Sequence, residues 1–489
     1  MRGITNLPQF SVSWLRGKQP TRVTRESSEA GDNALGVFTQ SAILCRPAGA
    51  FTFWLATDLG NGGVTIPRLL AAQAAVTWWI MKLTTTSATV SFILIRHSLR
   101  KSAKLAGVIA LVTFALPSVT LAQHYTQTNL ISDIPGMAAH TDPNLKNPWG
   151  LTRSPSGSPW WISNNNSGTS TLENASGSPI NIFVEANHST SNFVVVPPPG
   201  FAPPGTPSTP TGIVFNGSAT DFLLDRGTPS GKPAIFIFAT EDGTISGWNP
   251  LVNLLPGGSP PSPNAVLEVD NSNNGAPDGA VYKGMTSGEI NGNRFLYVTN
   301  FRDATVEVYD TSFHRVHFNP DAFDGHGVPA GFAPFNIQNI GGSLFVTYAK
   351  QDAARHDPVG GAGLGFVNIF STEGEFQDRL EHGDWFDAPW GVVWTPRDFG
   401  EFSNTILVGN FRSGWIAAFN GFTKKFIGFV LKPDNSLVFI DGLWSLTFGN
   451  NGAAGPSTTL FFTAGPNQET DGLFGTLTPV AAEQDGDEE

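Results

Sequence analysis

From residue 123 onward, short apolar runs alternate with turns rich in Gly, Pro, Asn and Asp. No sustained i, i+3, i+4 spacing of apolar residues interrupts them, so the pattern predicts strands and not helices. The runs recur in a fixed order. A first strand opens at Pro148-Trp149-Gly150-Leu151, Pro210-Thr211-Gly212-Ile213, Tyr282-Lys283-Gly284-Met285, Pro334-Phe335-Asn336-Ile337, Pro389-Trp390-Gly391-Val392 and Leu443-Trp444-Ser445-Leu446. The third positions of these motifs, 150, 212, 284, 336, 391 and 445, are spaced by 62, 72, 52, 55 and 54 residues. A second run follows each of them and ends in a polar turn, as in Phe295 to Asn300 or Thr405 to Asn410. A third, alternating run comes next, as in Thr305 to Tyr309.

Six such units without intervening helices predict an all-β fold, a six-bladed β-propeller. Two separate sandwiches would not need so even a repeat. Pro at the start of a first strand removes no needed ladder donor, and Gly two residues on lets backbones crowd near an axis. The sixth unit shows only three strands before Pro479. The segment Tyr125 to Ile131, which precedes the first unit, is therefore expected to supply the fourth and close the ring. The propeller is expected over 123–480. The last residues, 481–489, are read as an acidic, disordered tail, with five carboxylates between Glu483 and Glu489.

Charge divides the chain differently. The net charge of −12 is the sum of +8 over residues 1–122 (12 Lys+Arg against 4 Asp+Glu) and −20 over 123–489 (16 against 36). Such an acidic domain argues against nucleic acid as a partner. At the junction, Arg96, Arg100, Lys101 and Lys104 precede an apolar run from Leu105 to Leu121, and Ala122 follows. Basic residues, an apolar run of ~15 residues and then small residues make a secretory signal peptide, expected over 81–122. Pro117 and the short run argue against a membrane span, so no stable span is expected in the mature form. Residues 1–80 are read as a non-native or disordered N-terminal extension, with translation beginning at Met81. The protein is thus expected to be secreted, periplasmic or at the cell envelope. The lone cysteine, Cys45, lies ahead of the propeller, which excludes disulfides and thiol nucleophiles there.

Several stretches carry a family resemblance. They are Asn129-Leu130-Ile131-Ser132-Asp133, Asn147-Pro148-Trp149-Gly150, Val281-Tyr282-Lys283-Gly284, Ala333-Pro334-Phe335-Asn336-Ile337, Ala388-Pro389-Trp390-Gly391 and Asp441-Gly442-Leu443-Trp444. The exported part resembles a family of secreted bacterial proteins expected to be six-bladed propellers, distantly akin to NHL-repeat propellers. Some members carry a PEP-CTERM sorting tail, which has no counterpart in the acidic end of this chain. The resemblance implies fold and export, and brings no activity with it.

Antiparallel pairing puts the start of strand one and the end of strand two at one edge of each blade, so a shared channel rim is expected to bind ligands by fold analogy. The rim candidates are Asn147, Asn164, Asp242, Asn300, Arg302, Lys350, Asn410 and Arg412. The repeated Asn300-Phe301-Arg302 and Asn410-Phe411-Arg412 would aim two guanidiniums at a carboxylate or sulfate. The bland alternative is that the asparagines make turns and the arginines pair locally. Glu241, Asp242, Asn300 and Asn410 are the residue types that hold a divalent cation, Ca2+ first, in a propeller channel. Otherwise no cofactor is expected. The run Asp270-Asn271-Ser272-Asn273-Asn274-Gly275 opens like a calcium loop, but Val281 stands where the bidentate Glu belongs, so it reads as a polar turn. No catalytic motif is evident. The leading reading is a binding or interaction module for a small molecule, glycan or protein. A metal-dependent hydrolase or lactonase, and a structural envelope or matrix protein, are the alternatives.

Overall fold

The computed structural model describes residues 124–184, 189–225 and 231–480, and the backbone of three short strands at Ala50–Phe53, Val90–Ile95 and Ile109–Ala115. The chain divides into two compact units, Met1–Val119 and Thr120–Glu489. In the first, those three strands form one antiparallel sheet. The signal-peptide reading of 81–122, apart from those strands, and the acidic tail lie outside the described residues. No helix among the described residues is long and apolar enough to cross a membrane.

The second unit is a ring of six antiparallel blades. Their first strands are Pro148–Thr152, Pro210–Phe215, Tyr282–Ile290, Phe332–Ile340, Pro389–Trp394 and Leu443–Phe448. Each packs against the first strand of the next blade, and the sixth packs back against the first. That cycle is what defines a propeller. The sixth blade is completed by the start of the domain. Tyr125–Ser132 pairs with Leu473–Pro479, from Leu473↔Ser132 to Pro479↔Tyr125, as expected from the missing strand. Tyr125 fastens this seam. Its hydroxyl donates to the Phe399 carbonyl at 2.8 Å and accepts from the Phe402 amide at 3.2 Å, with both rings packed against it.

All six first strands carry a register shift within or beside the opening motif. Such a bulge bends the strand and re-aims its side chains. The motif's Gly then meets the neighbouring blade. A Cβ on Gly150 would lie 2.4 Å from the Thr211 carbonyl oxygen, and one on Gly212 would lie 2.5 Å from the Met285 nitrogen. Where the motif has Asn336 instead, its amide donates to the Trp390 carbonyl of the following blade at 2.8 Å. Thr211 does the same toward the Tyr282 carbonyl at 2.8 Å.

The second motif position fills the axis. Trp149, Thr211, Lys283, Phe335, Trp390 and Trp444 are all buried. Trp149 and Trp444 stack with ring centres 3.5 Å apart, and Phe411 stacks on the other side of Trp444 at 4.0 Å. Trp149 also reaches Phe335, three blades away, at 6.4 Å. Rings from opposite sides of the circle therefore meet, and the channel is closed by an aromatic plug. Trp149, Trp390 and Trp444 pack here, at the centre.

Candidate functional site at the channel mouth

The plug contains one ionisable side chain, Lys283, whose side chain has 0% exposure. Its backbone lies in the innermost strand of blade three, so the stem starts inside the ring. The ammonium lies 5.1 Å from the Trp149 ring centre and 5.8 Å from that of Phe301. It donates to Glu241 Oε1 and lies 3.4 Å from Asp357 Oδ1. Burying an ammonium is unfavourable unless it is paired and hydrogen-bonded, and the two carboxylates meet that need.

Around this ion pair, loops from the other five blades converge. Glu241 follows the second strand of blade two, and its Oε2 accepts from Asn165 Nδ2 of blade one at 2.7 Å. Asp357 and His356 come from the turn between Ser343–Gln351 and Pro358–Val359 of blade four, with His356 Nδ1 at 2.9 Å from Asp357 Oδ1. The contact with His356, and then the charge of Lys283, hold the Asp357 carboxyl well below the usual carboxylate range. Asn147 of blade one accepts from Trp444 Nε1 at 3.0 Å and donates to Glu469 Oε2 at 3.1 Å. Burial, and then the nearby Glu241 charge, push the Glu469 carboxyl up, while Lys283 and Arg412 pull the other way.

Glu469 reaches the mouth on a strained turn. Asn467, Gln468 and Glu469 have φ of 57°, 58° and 67° in succession. Non-glycine residues avoid this left-handed region at roughly 1–2 kcal/mol each, so a run of three persists only where surroundings enforce it.

The rim candidates separate into two groups. Asn147 and Glu241 belong to the convergent cluster, with Asp242 and Arg412 beside it. Asp242 accepts from the Thr209 amide at 2.8 Å, and its carboxyl is raised, chiefly by burial. Arg412 lies over Phe411 and donates to the Pro358 carbonyl at 2.9 Å. The others are engaged within single blades, except Lys350. Asn164 donates to Thr171 Oγ1 at 3.1 Å. Asn300 donates to Asp303 and Glu307, at 2.9 and 3.0 Å. Asn410 donates to the Trp385 and Trp415 carbonyls. Arg302 donates to the Gly279 carbonyl at 2.6 Å, and Lys350 is exposed at the end of its strand. The two Asn-Phe-Arg motifs thus give their phenylalanines to the plug and their guanidiniums to backbone carbonyls.

Of the metal-type residues, Glu241, His356 and Asp357 bring ligand atoms within 4.8 Å of one another. Asp242 is not in this group, and Asn300 and Asn410 are engaged within their own blades. In the Asp270 turn, the carboxylate is taken up by the Ser272 amide at 3.1 Å and the Gly200 amide at 2.9 Å, as a polar turn requires. Sequence reasoning missed Lys283, His356, Asp357 and Glu469 as site residues. One signal was readable: Lys283 is the only charged residue in a motif column otherwise filled by Trp, Phe and Thr.

A second buried carboxylate lies apart from the mouth. Glu173 has 0% exposure, and Asn192 Nδ2 bridges it to Asp142, at 3.0 and 2.6 Å. Burial, and then the Asp142 charge, push the Glu173 carboxyl up to about 9. A raised folded-state value means the folded chain holds a proton the unfolded chain has released. This stability is present below the ordinary value of 4.5 and is lost as pH rises toward about 9. Glu173→Gln is therefore expected to stabilise the chain more at pH 8 than at pH 5, by an increment on the order of a few kcal/mol, read as a larger rise in melting temperature at pH 8. Equal shifts at both pH values would contradict the buried, protonated state.

No family model matches the chain. It is 29% identical over 358 residues to the uncharacterised protein R648 of Acanthamoeba polyphaga mimivirus, covering 71% of this chain and 78% of that protein. It is 28% identical over 361 residues to the uncharacterised protein L690 of the same virus, covering 71% and 84%. Among solved structures, a glucose dehydrogenase aligns over 73% of this chain and 100% of its own, at 12% identity and a TM-score of 0.41. That likeness carries no chemistry across. These relatives are viral, whereas the resemblance drawn from the sequence is to bacterial proteins.

Proposed function

We propose that the chain is an exported six-bladed propeller that acts as a binding module, with the channel mouth as its site and a hydroxyl-rich neutral ligand, a glycan first, as its occupant. One observation carries this reading: loops from five blades meet over a closed plug, around a buried ammonium that the third blade supplies from its innermost strand and whose partner Asp357 is 60% exposed. Asp357 and Glu469 offer carboxylate acceptors for hydroxyl groups, and Asn166 lies beside Glu469. Acids outnumber bases there, and Arg302 and Arg412 are engaged with carbonyls, so an anion is the poorer guest. Export is supported by the order of basic, apolar and small residues over 96–122.

A thermal-shift screen with oligosaccharides, lactones and polyanions tests the reading. An oligosaccharide is expected to stabilise the native chain, and Asp357→Asn and Glu469→Gln are each expected to weaken that effect at least tenfold in ligand concentration. A stabilising ligand that both variants bind unchanged would place the site elsewhere. A second reading, hydrolysis at the same mouth, rests on the divergent surroundings of Glu469, raised by burial, and Asp357, held ionised by its neighbours. Turnover of a lactone or glycoside, lost in Glu469→Gln, would favour it.

A further inference from the structure

We infer that Lys283 is a built-in cation: its ammonium takes the place that a divalent metal ion would hold at the channel mouth, and it closes the Glu241, His356 and Asp357 set to metal. Those three residues supply one nitrogen and two oxygen ligands, a set that suits Zn2+. Two ligand atoms on one such ion lie no more than ~4.2 Å apart, at twice the ~2.1 Å bond length, so small inward movements would complete the set.

The ligand atoms are already engaged. Lys283 Nζ donates to Glu241 Oε1 and contacts Asp357 Oδ1. Asn165 occupies the other oxygen of Glu241, and His356 Nδ1 contacts the same Oδ1 of Asp357 that faces the ammonium. A metal ion would have to displace the ammonium, and the ammonium has no exit. Its side chain is fully buried, below it lie the Trp149 and Phe301 rings, and the Trp390 indole is bonded to its own carbonyl at 3.2 Å. A second cation bound to the same carboxylates would lie within a few ångströms of the ammonium and be repelled by it. Of the other charges at the mouth, Glu469 and Arg412 oppose one another. Lysine at this one place in the motif column thus supplies in covalent form the positive centre that holds the mouth's carboxylates together. This holds whatever ligand the mouth takes.

Titration calorimetry of the full chain with Zn2+ near pH 7.5 tests the inference, using the native protein, His356→Ala, Lys283→Met and Lys283→Met/His356→Ala. The native protein is expected to show no Zn2+ binding that depends on His356. Lys283→Met, which keeps the stem and removes the charge, is expected to gain one Zn2+ site, weakened at least tenfold when His356 is also removed. A His356-dependent Zn2+ site in the native protein would overturn the inference, as would a folded Lys283→Met that gains none. Should Lys283→Met fail to fold, Lys283→Gln takes its place. The comparison of the native chain with His356→Ala can overturn the inference without either variant.

Discussion

A chain from which Tyr125–Ser132 is excised is expected to lose the folded ring altogether. The strand supplies all the outer pairing of blade six, seven Cα partners along Leu473–Pro479. It also brings Tyr125, Leu130 and Ile131 into the core, each at most 9% exposed. Tyr125 further ties the seam to blade five through Phe399 and Phe402, and its own amide donates to the Leu431 carbonyl at 2.7 Å. Removing it opens a sheet edge and uncovers apolar surface at once. That loss is comparable with the whole stability of a domain, roughly 5–15 kcal/mol. Circular dichroism and thermal melting read the outcome: the excised chain shows no cooperative transition where the native chain shows one. A cooperative melt within a few degrees of native would mean that five complete blades and an open sixth suffice.

The second large effect lies at the axis. Trp444→Ala is expected to destabilise the ring by about 3–5 kcal/mol, the range for deleting a fully buried aromatic side chain. Trp444 has 0% exposure, stacks between Trp149 and Phe411, and donates its indole proton to Asn147. The substitution therefore empties part of the plug and frees the Asn147 side chain that holds Glu469. Phe422→Ala serves as the control, since Phe422 is 85% exposed and its loss is expected to change stability by less than ~0.5 kcal/mol. Denaturant melts compare the two. Similar midpoints would contradict a packed axis.

The ring was legible because its evidence is local and repeated. Pro-Trp-Gly at 148–150 and again at 389–391 states a strand start, an inward side chain and a close backbone approach within three residues. The missing fourth strand of the last unit even pointed to Tyr125–Ile131 as its supplier. The mouth was legible only in part. Antiparallel register predicted the shared edge, and Pro148↔Asn164, Pro210↔Thr240 and Pro389↔Asn410 confirm it. Which rim residues turn toward the axis is set by loops that carry no such repeat. Asp357 meets Lys283 across 74 residues of chain, from a turn inserted ahead of the third strand of blade four. Glu469 arrives on three consecutive left-handed residues that no propensity would suggest. Asn164, Asn300 and Asn410 share a repeat position, and each is engaged within its own blade by different partners: Thr171, then Asp303 and Glu307, then the Trp385 and Trp415 carbonyls.

The most direct measurement is a crystal structure of the native chain soaked with a panel of neutral oligosaccharides. Ligand density over the plug, with hydroxyl groups within hydrogen-bond distance of Asp357 and Glu469, is the predicted result. An open cavity of about 710 Å³ elsewhere on the ring, lined by Phe295, Phe318, Phe376, Asp321 and Glu373, provides the contrast. Density confined to that cavity, with the channel mouth bare, would contradict the account.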